Sequence, residues 1–196
     1  MTVPDWLQSV LPSTARHGGL AVCQVADARS FERGGMKLIS PAFEAGEELD
    51  PCFTADEEDA VAPPLEWSAP PPGTQELAII VEDATSPDDT AKCHWLVWGL
   101  PGQKGKILEG ETPPRTGKNS LGNSEWLLPE LPTGETHTFV FQLFALDLPL
   151  TLMPGASRND LIAEVEGHVI ASSVLVAQYT PSQEDEDDWD DDDTID

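Results

Sequence analysis

Eighteen prolines spread through 196 residues set the strongest limit on what this chain can fold into. A proline inside a helix costs about 3 kcal/mol, through a lost hydrogen bond and a clash with the preceding turn. A helical bundle is thus disfavoured, and the apolar segments between prolines read as strands. ELAIIVED (76–83) is apolar through its centre and predicts a strand buried on both faces. HWLVWGLP (94–101) predicts a second, stopped by Pro101. THTFVFQLFALD (136–147) reads as the longest. Its Phe139, Phe141, Leu143 and Ala145 alternate with Val140, Gln142, Phe144 and Leu146. With both faces mostly apolar, this strand belongs in the middle of a packed sheet. MKLIS (36–40) predicts a short strand ended by Pro41, and ASSVLVAQY (171–179) a final one.

Helices are few and short. VPDWLQSVLPS allows about two turns, with Pro4 at the first helical position and Pro12 as the stop. NDLIAEVEGH (159–168) reads as a helix with Asn159 as N-cap and Leu161, Ile162 and Val165 as its apolar stripe. Residues 15–35 give no single reading: LAVCQV (20–25) allows an edge strand, which the Gly34–Gly35 pair would end. Pro70 to Gly73 form a rigid bend. The sum is a mainly β fold, a β-sandwich with peripheral helices.

Charge limits the partners. There are 36 acids against 10 bases, a net charge of -26. A nucleic-acid backbone or an anionic membrane surface would repel such a chain. No apolar run is long enough for a membrane span, and the N-terminus lacks a secretory pattern, so no stable membrane insertion is expected. Ten acids fall in EDEDDWDDDDTID (184–196), which contains no base and reads as a disordered, self-repelling tail. It could act as a solubility tail or dock a basic partner. Its spacing imposes no coordination geometry, so no metal is expected there. Cys23, Cys52 and Cys93 form no CxxC pair. They read as free thiols in a reducing, cytoplasmic setting, with no cofactor implied.

Polar groups of functional type sit at strand ends. Asp83 closes one strand, His94 opens the next, and His137 opens the long one. If the first two strands pair as a hairpin, Asp83 and His94 share an end of the sheet, and His137 joins them if its strand starts there. Two imidazoles and a carboxylate make a pocket suited to a phosphate or carboxylate group.

Several segments, in this order, resemble the phosphatidylethanolamine-binding protein family. They are PPLEW…GT (Pro63 to Thr74), the strand ending in Asp83, Pro87, the His94–Trp95 pair, and GKNSLG (117–122). The Gly134-to-His137 element, FQLFALD and the helix-then-strand ending follow. The similarity spans roughly residues 36–180 and is closest to the bacterial and archaeal branch, called Raf kinase inhibitor-like or YbhB/YbcL-like. It implies a two-sheet antiparallel β-sandwich over 36–181, with 1–35 as an N-terminal extension carrying a short helix and 182–196 as the acidic tail. It also implies an anion pocket built from a DPDAP-like segment and two histidines. By position these are Asp83, Thr85 and Pro87, then His94 with Trp95, then His137 with Thr138. Thr85 stands where the pattern has a second acid and Thr138 where it has an arginine, which leaves a less ionic rim. The resemblance implies a non-enzymatic protein that binds a small phosphate-bearing or acidic ligand, or a protein side chain, as kinase or protease inhibitors of this family do. One alternative is an interaction protein acting through its surface and tail. A hydrolase using Asp83, Ser86 and a histidine is the weaker alternative, since the chain has no GxSxG elbow.

Overall fold

The computed structural model describes residues 2–182, so the acidic run lies outside the described residues. It has seven strands: β1 (Leu38–Ile39), β2 (Leu65–Trp67), β3 (Glu76–Asp83), β4 (Lys92–Pro101), β5 (Gly105–Ile107), β6 (His137–Leu146) and β7 (Val169–Tyr179). Helices α1 (Asp5–Gln8), α2 (Ala21–Val25) and α3 (Arg158–Val165) flank them. Every strand pairing is antiparallel. The strands form two sheets, one ordered β1-β2-β5 and the other β4-β3-β6-β7.

The larger sheet is covered on both sides, which explains its two-faced strands. Phe139, Phe141 and Leu143 of β6, with Ile79 and Val81 of β3, face Leu38, Leu65 and Trp67 of the small sheet. Ala78, Ile80, Val140 and Phe144 face the other way, under Leu7, Leu11, Leu20 and Val22 and under Leu161 and Val165 of α3. Residues 1–35, expected as an extension with one short helix, therefore hold two helices and supply part of a packed third layer. As expected, β6 is an interior strand, but β7 is one residue longer.

Three local expectations are corrected. Residues 21–25 form α2, not an edge strand. Six apolar-rich residues do not discriminate between the two, and the sheet beneath decides. Glu82 Oε2 accepts from Ala21 N–H at 2.7 Å and Gln142 Oε1 from Val22 N–H at 2.7 Å, which fixes the first turn of a helix. Helix α1 is one turn with Pro4 just before it, because the chain continues in turns that bury Leu11. Helix α3 is capped by Ser157, not Asn159. Ser157 and Asp160 bond each other's backbone N–H as a capping box, a geometry the sequence window starting at Asn159 omits. The short strands β2 and β5 are too brief for periodicity to reveal.

Close packing marks one glycine. Gly117 N–H donates to Leu96 O at 3.0 Å, against β4. A Cβ there would lie 2.6 Å from the Ala156 carbonyl oxygen and 2.8 Å from the Trp98 ring. Gly117→Ala is expected to destabilise the protein by about 1–3 kcal/mol, because backbone has to move. Urea denaturation checks this; an unchanged midpoint would contradict the packing described.

Candidate functional site

The hairpin of β3 and β4 sets Asp83 opposite Lys92, and β6 sets Phe139 opposite Asp83. Asp83, His94 and His137 thus gather at one end of the larger sheet. His94 comes to this end through a register shift. Val81 pairs with Trp95 and Glu82 with Cys93, which leaves His94 as the extra residue of a bulge. Bulges re-aim side chains beside functional sites. Here the bulge sends both His94 and Trp95 toward the space between the sheets. The His94 ring meets Phe139 edge-on at 4.8 Å and lies 6.1 Å from Trp126.

The histidines are held by different groups. His137 Nδ1 donates to Asp83 Oδ2 at 2.6 Å, and Asp83 Oδ1 accepts from Thr85 N–H at 2.8 Å. The far nitrogen of His137, Nε2, lies 3.5 Å from Glu135 Oε2. His94 Nδ1 bonds Leu127 O at 2.6 Å, while Leu127 N–H donates to His94 O at 2.9 Å. A carbonyl only accepts, so Nδ1 carries the proton. Nε2 of His94 is buried and has no hydrogen-bond partner among the described residues. His94 is 2% exposed, and this burial depresses its pKa from 6.5 to about 4. The Asp83 charge acts in the opposite direction but is outweighed. A neutral His94 with its proton on Nδ1 therefore presents a bare lone pair at Nε2.

The remaining residues named from sequence divide. Thr85 and Thr138 are joined to the cluster. Thr85 Oγ1 accepts from Thr138 N–H at 3.0 Å, and Ala84 N–H donates to Thr138 O at 2.8 Å. These bonds hold the turn after β3 against the start of β6. Pro87 is exposed and lines a separate concavity with Arg16, His17 and Gln24. Trp95 lines a third concavity of about 270 Å³ with Trp126, Val61 and Thr116. Sequence reasoning missed Leu127, whose carbonyl lies 33 residues away in a loop. It also missed Trp126 and Glu135. Only Glu135, two residues before His137, had a local signal. No group of three or more histidine, cysteine or acidic side chains fit to hold a metal ion occurs among the described residues. No helix among them is long and apolar enough to cross a membrane.

Fold and cluster define the class: an antiparallel two-sheet sandwich whose aspartate and histidines meet at strand ends of the larger sheet. The family model described as phosphatidylethanolamine-binding protein matches residues 39–180. The chain belongs to the phosphatidylethanolamine-binding protein family. Among its relatives, a UPF0098 protein of Pyrococcus horikoshii is 33% identical over 189 residues, covering 90% of this chain and 92% of the relative. A UPF0098 protein of Aquifex aeolicus is 31% identical over 165 residues, covering 79% and 95%. A solved phosphatidylethanolamine-binding protein homolog from Chlamydia trachomatis superposes with a TM-score of 0.70 at 28% identity, covering 75% of this chain and 98% of that one. E. coli YbcL, described as a member of the mammalian family, gives a TM-score of 0.67 at 20% identity over 75% and 99%, a likeness of fold.

Proposed function

We propose that this protein is a non-enzymatic binding protein that holds a small phosphate-bearing or acidic group at the Asp83–His94–His137 cluster. One observation carries the reading: the buried, unpartnered Nε2 of His94. A buried polar atom left unpaired costs about 1–3 kcal/mol, which a ligand in hydrogen-bond contact would recover. His137, oriented by Asp83, offers the second imidazole. The family name supports the same ligand class.

The protonation state refines the chemistry. A neutral His94 accepts at Nε2, so it takes a proton-bearing oxygen of a phosphate monoanion, or gains a proton as the anion arrives. Both routes make binding proton-linked. The Thr85 hydroxyl is engaged by the Thr138 N–H, and Thr138 brings no positive charge, so the imidazoles and not a guanidinium carry recognition. A kinase or protease inhibitor-like role would use the same cluster to receive an acidic or phosphorylated side chain. Within this reading the alternative that acts through surface and tail alone leaves the His94 atom unexplained.

Titration with inorganic phosphate and with phosphoethanolamine, followed at the imidazole NMR signals, tests the proposal. Both histidines are expected to shift at millimolar ligand. The affinity is expected to tighten by up to about tenfold per pH unit as pH falls from 7.5 to 5.5, the limit for one linked proton. Unmoved signals at pH 5.5, or an affinity independent of pH, would sink it.

A further inference from the structure

His137 has a carboxylate beside each of its ring nitrogens, and the two are held differently. Asp83 Oδ2 lies 2.6 Å from Nδ1, and this carboxylate is buried and fixed by the Thr85 N–H. Glu135 Oε2 stands 3.5 Å from Nε2, beyond the range of about 2.7–2.9 Å for a charge-assisted bond, and its side chain is 55% exposed. Asp83 therefore positions the ring, while Glu135 is a loose neighbour that can turn out to water. Its backbone does not share that freedom. The turn at Gly134, with φ of +88°, brings the Glu135 N–H onto Pro132 O at 3.2 Å. One residue on, Thr136 Oγ1 bonds Thr180 Oγ1 at 2.8 Å, and His137 pairs with Tyr179 of β7. Two residues apart on this extended stretch, Glu135 and His137 present their side chains to the same side. The carboxylate is thus tethered at the nitrogen that Asp83 leaves over.

We propose that Glu135 is a specificity-determining residue that makes the cluster favour singly charged over doubly charged anions. It rests on the binding reading above, in which His94 and His137 receive the anion. Nδ1 of His137 is taken, so an anion bonds Nε2 and pushes the Glu135 side chain aside without removing its charge. A fixed charge about 7 Å away in water weakens binding about threefold for each negative charge on the ligand. A monoanion is thus penalised about threefold and a dianion about tenfold. The other groups around His137 do not offset this. Asp83 is a second carboxylate, and Lys92, opposite it in the β3–β4 pairing, balances that one alone. His94 is neutral, and the Tyr179 hydroxyl donates to Asp56 at 3.0 Å. Thr138 adds no cation. The ligand class that fits is a singly charged oxyanion, and a phosphate monoester fits better once it takes up a proton.

Two ligands that differ by one charge test this in the full chain. Methyl phosphate is close to a dianion at pH 7.5, because its second pKa is about 6. Dimethyl phosphate is a monoanion with no proton to lose. Each is titrated at low salt into the parent, Glu135→Gln and Glu166→Gln, and followed at the imidazole NMR signals of His94 and His137. Glu166 controls for net charge. It is exposed and follows α3, and the length of β7, about 30 Å, separates it from the Tyr179 end of the sheet. Glu135→Gln is expected to bind methyl phosphate about tenfold and dimethyl phosphate about threefold more tightly than the parent. Both gains should vanish in 1 M NaCl, where the Debye length is about 3 Å. Glu166→Gln should stay within about twofold of the parent for both ligands. Equal gains for the two ligands, no gain, or the same gains in Glu166→Gln would overturn the proposal and leave the binding reading standing. Signals unmoved by either ligand in every protein would overturn both. Signals that move in Glu135→Gln alone would support the proposal, as a carboxylate strong enough to exclude the anion.

Discussion

Replacing Arg158 with alanine is expected to destabilise the protein by about 3–5 kcal/mol, the range for breaking a buried ion pair from one side. Glu82 lies on β3 with none of its surface exposed, beneath the helical layer. Arg158 Nε donates to its Oε1 from the first turn of α3. Gln142 of β6 donates to Oε2 at 2.8 Å, and Ala21 N–H of α2 at 2.7 Å. Arg158 also reaches Gly19 O at 2.8 Å. One carboxylate thus ties α2, α3, β3 and β6 together. Without Arg158 it stays buried with two neutral donors and no cation. The double variant Glu82→Gln/Arg158→Ala removes the stranded charge and keeps an acceptor for Ala21. It is expected to recover more than half of the loss. The Lys37–Glu32 pair provides the contrast. Its side chains are 59% and 35% exposed, and Lys37→Ala should change stability by less than about 1 kcal/mol. Thermal or urea denaturation of the three variants reads all of this. Equal effects at Arg158 and Lys37 would refute the weight given to burial.

The same cluster shows where sequence reading stops. Periodicity located β3, β4, β6 and β7, because each is a long segment made mostly of apolar residues. The gathering of Asp83, His94 and His137 at one end followed from strand direction alone. A glutamate at position 82 in such a run gives no hint of its partner, since Arg158 stands 76 residues later. LAVCQV allowed an edge strand for the same reason: its helical conformation is set by Glu82 and Gln142 on the sheet beneath. The bulge at His94 depends on a pairing slip between two strands, which neither strand encodes by itself. Without the bulge, successive residues alternate faces, and His94 and Trp95 would point apart. The resemblance named the site residues, but it could not show that Thr85 and Thr138 bond each other across the turn. Nor could it show that His94 would be neutral and Pro87 exposed.

Burial of His94 makes stability itself depend on pH. The unfolded chain holds this imidazole at its ordinary value near 6.5, and the folded chain near 4. Between these values the unfolded state binds more protons, so stability falls as pH drops through this window. Above 6.5 the ring is neutral in both states, and below 4 it is charged in both. Integrated over the window, the loss attributable to His94 is about 3 kcal/mol. Glu76 acts in the opposite sense, because burial raises its carboxyl and favours the protonated folded form as pH falls. The measurement is therefore a difference between the parent and His94→Asn, whose amide N–H can still donate to Leu127 O. Lost ring contacts with Phe139 and Trp126 lower the variant's stability at every pH, but only a titrating imidazole changes the slope. Urea midpoints taken from pH 7 to pH 4 are expected to converge for the two proteins as pH falls. Parallel curves would mean that His94 carries its charge in the folded state. Millimolar phosphate supplies the last contrast: it should flatten the parent's decline, because an anion at Nε2 stabilises the protonated ring, and leave the asparagine variant unchanged.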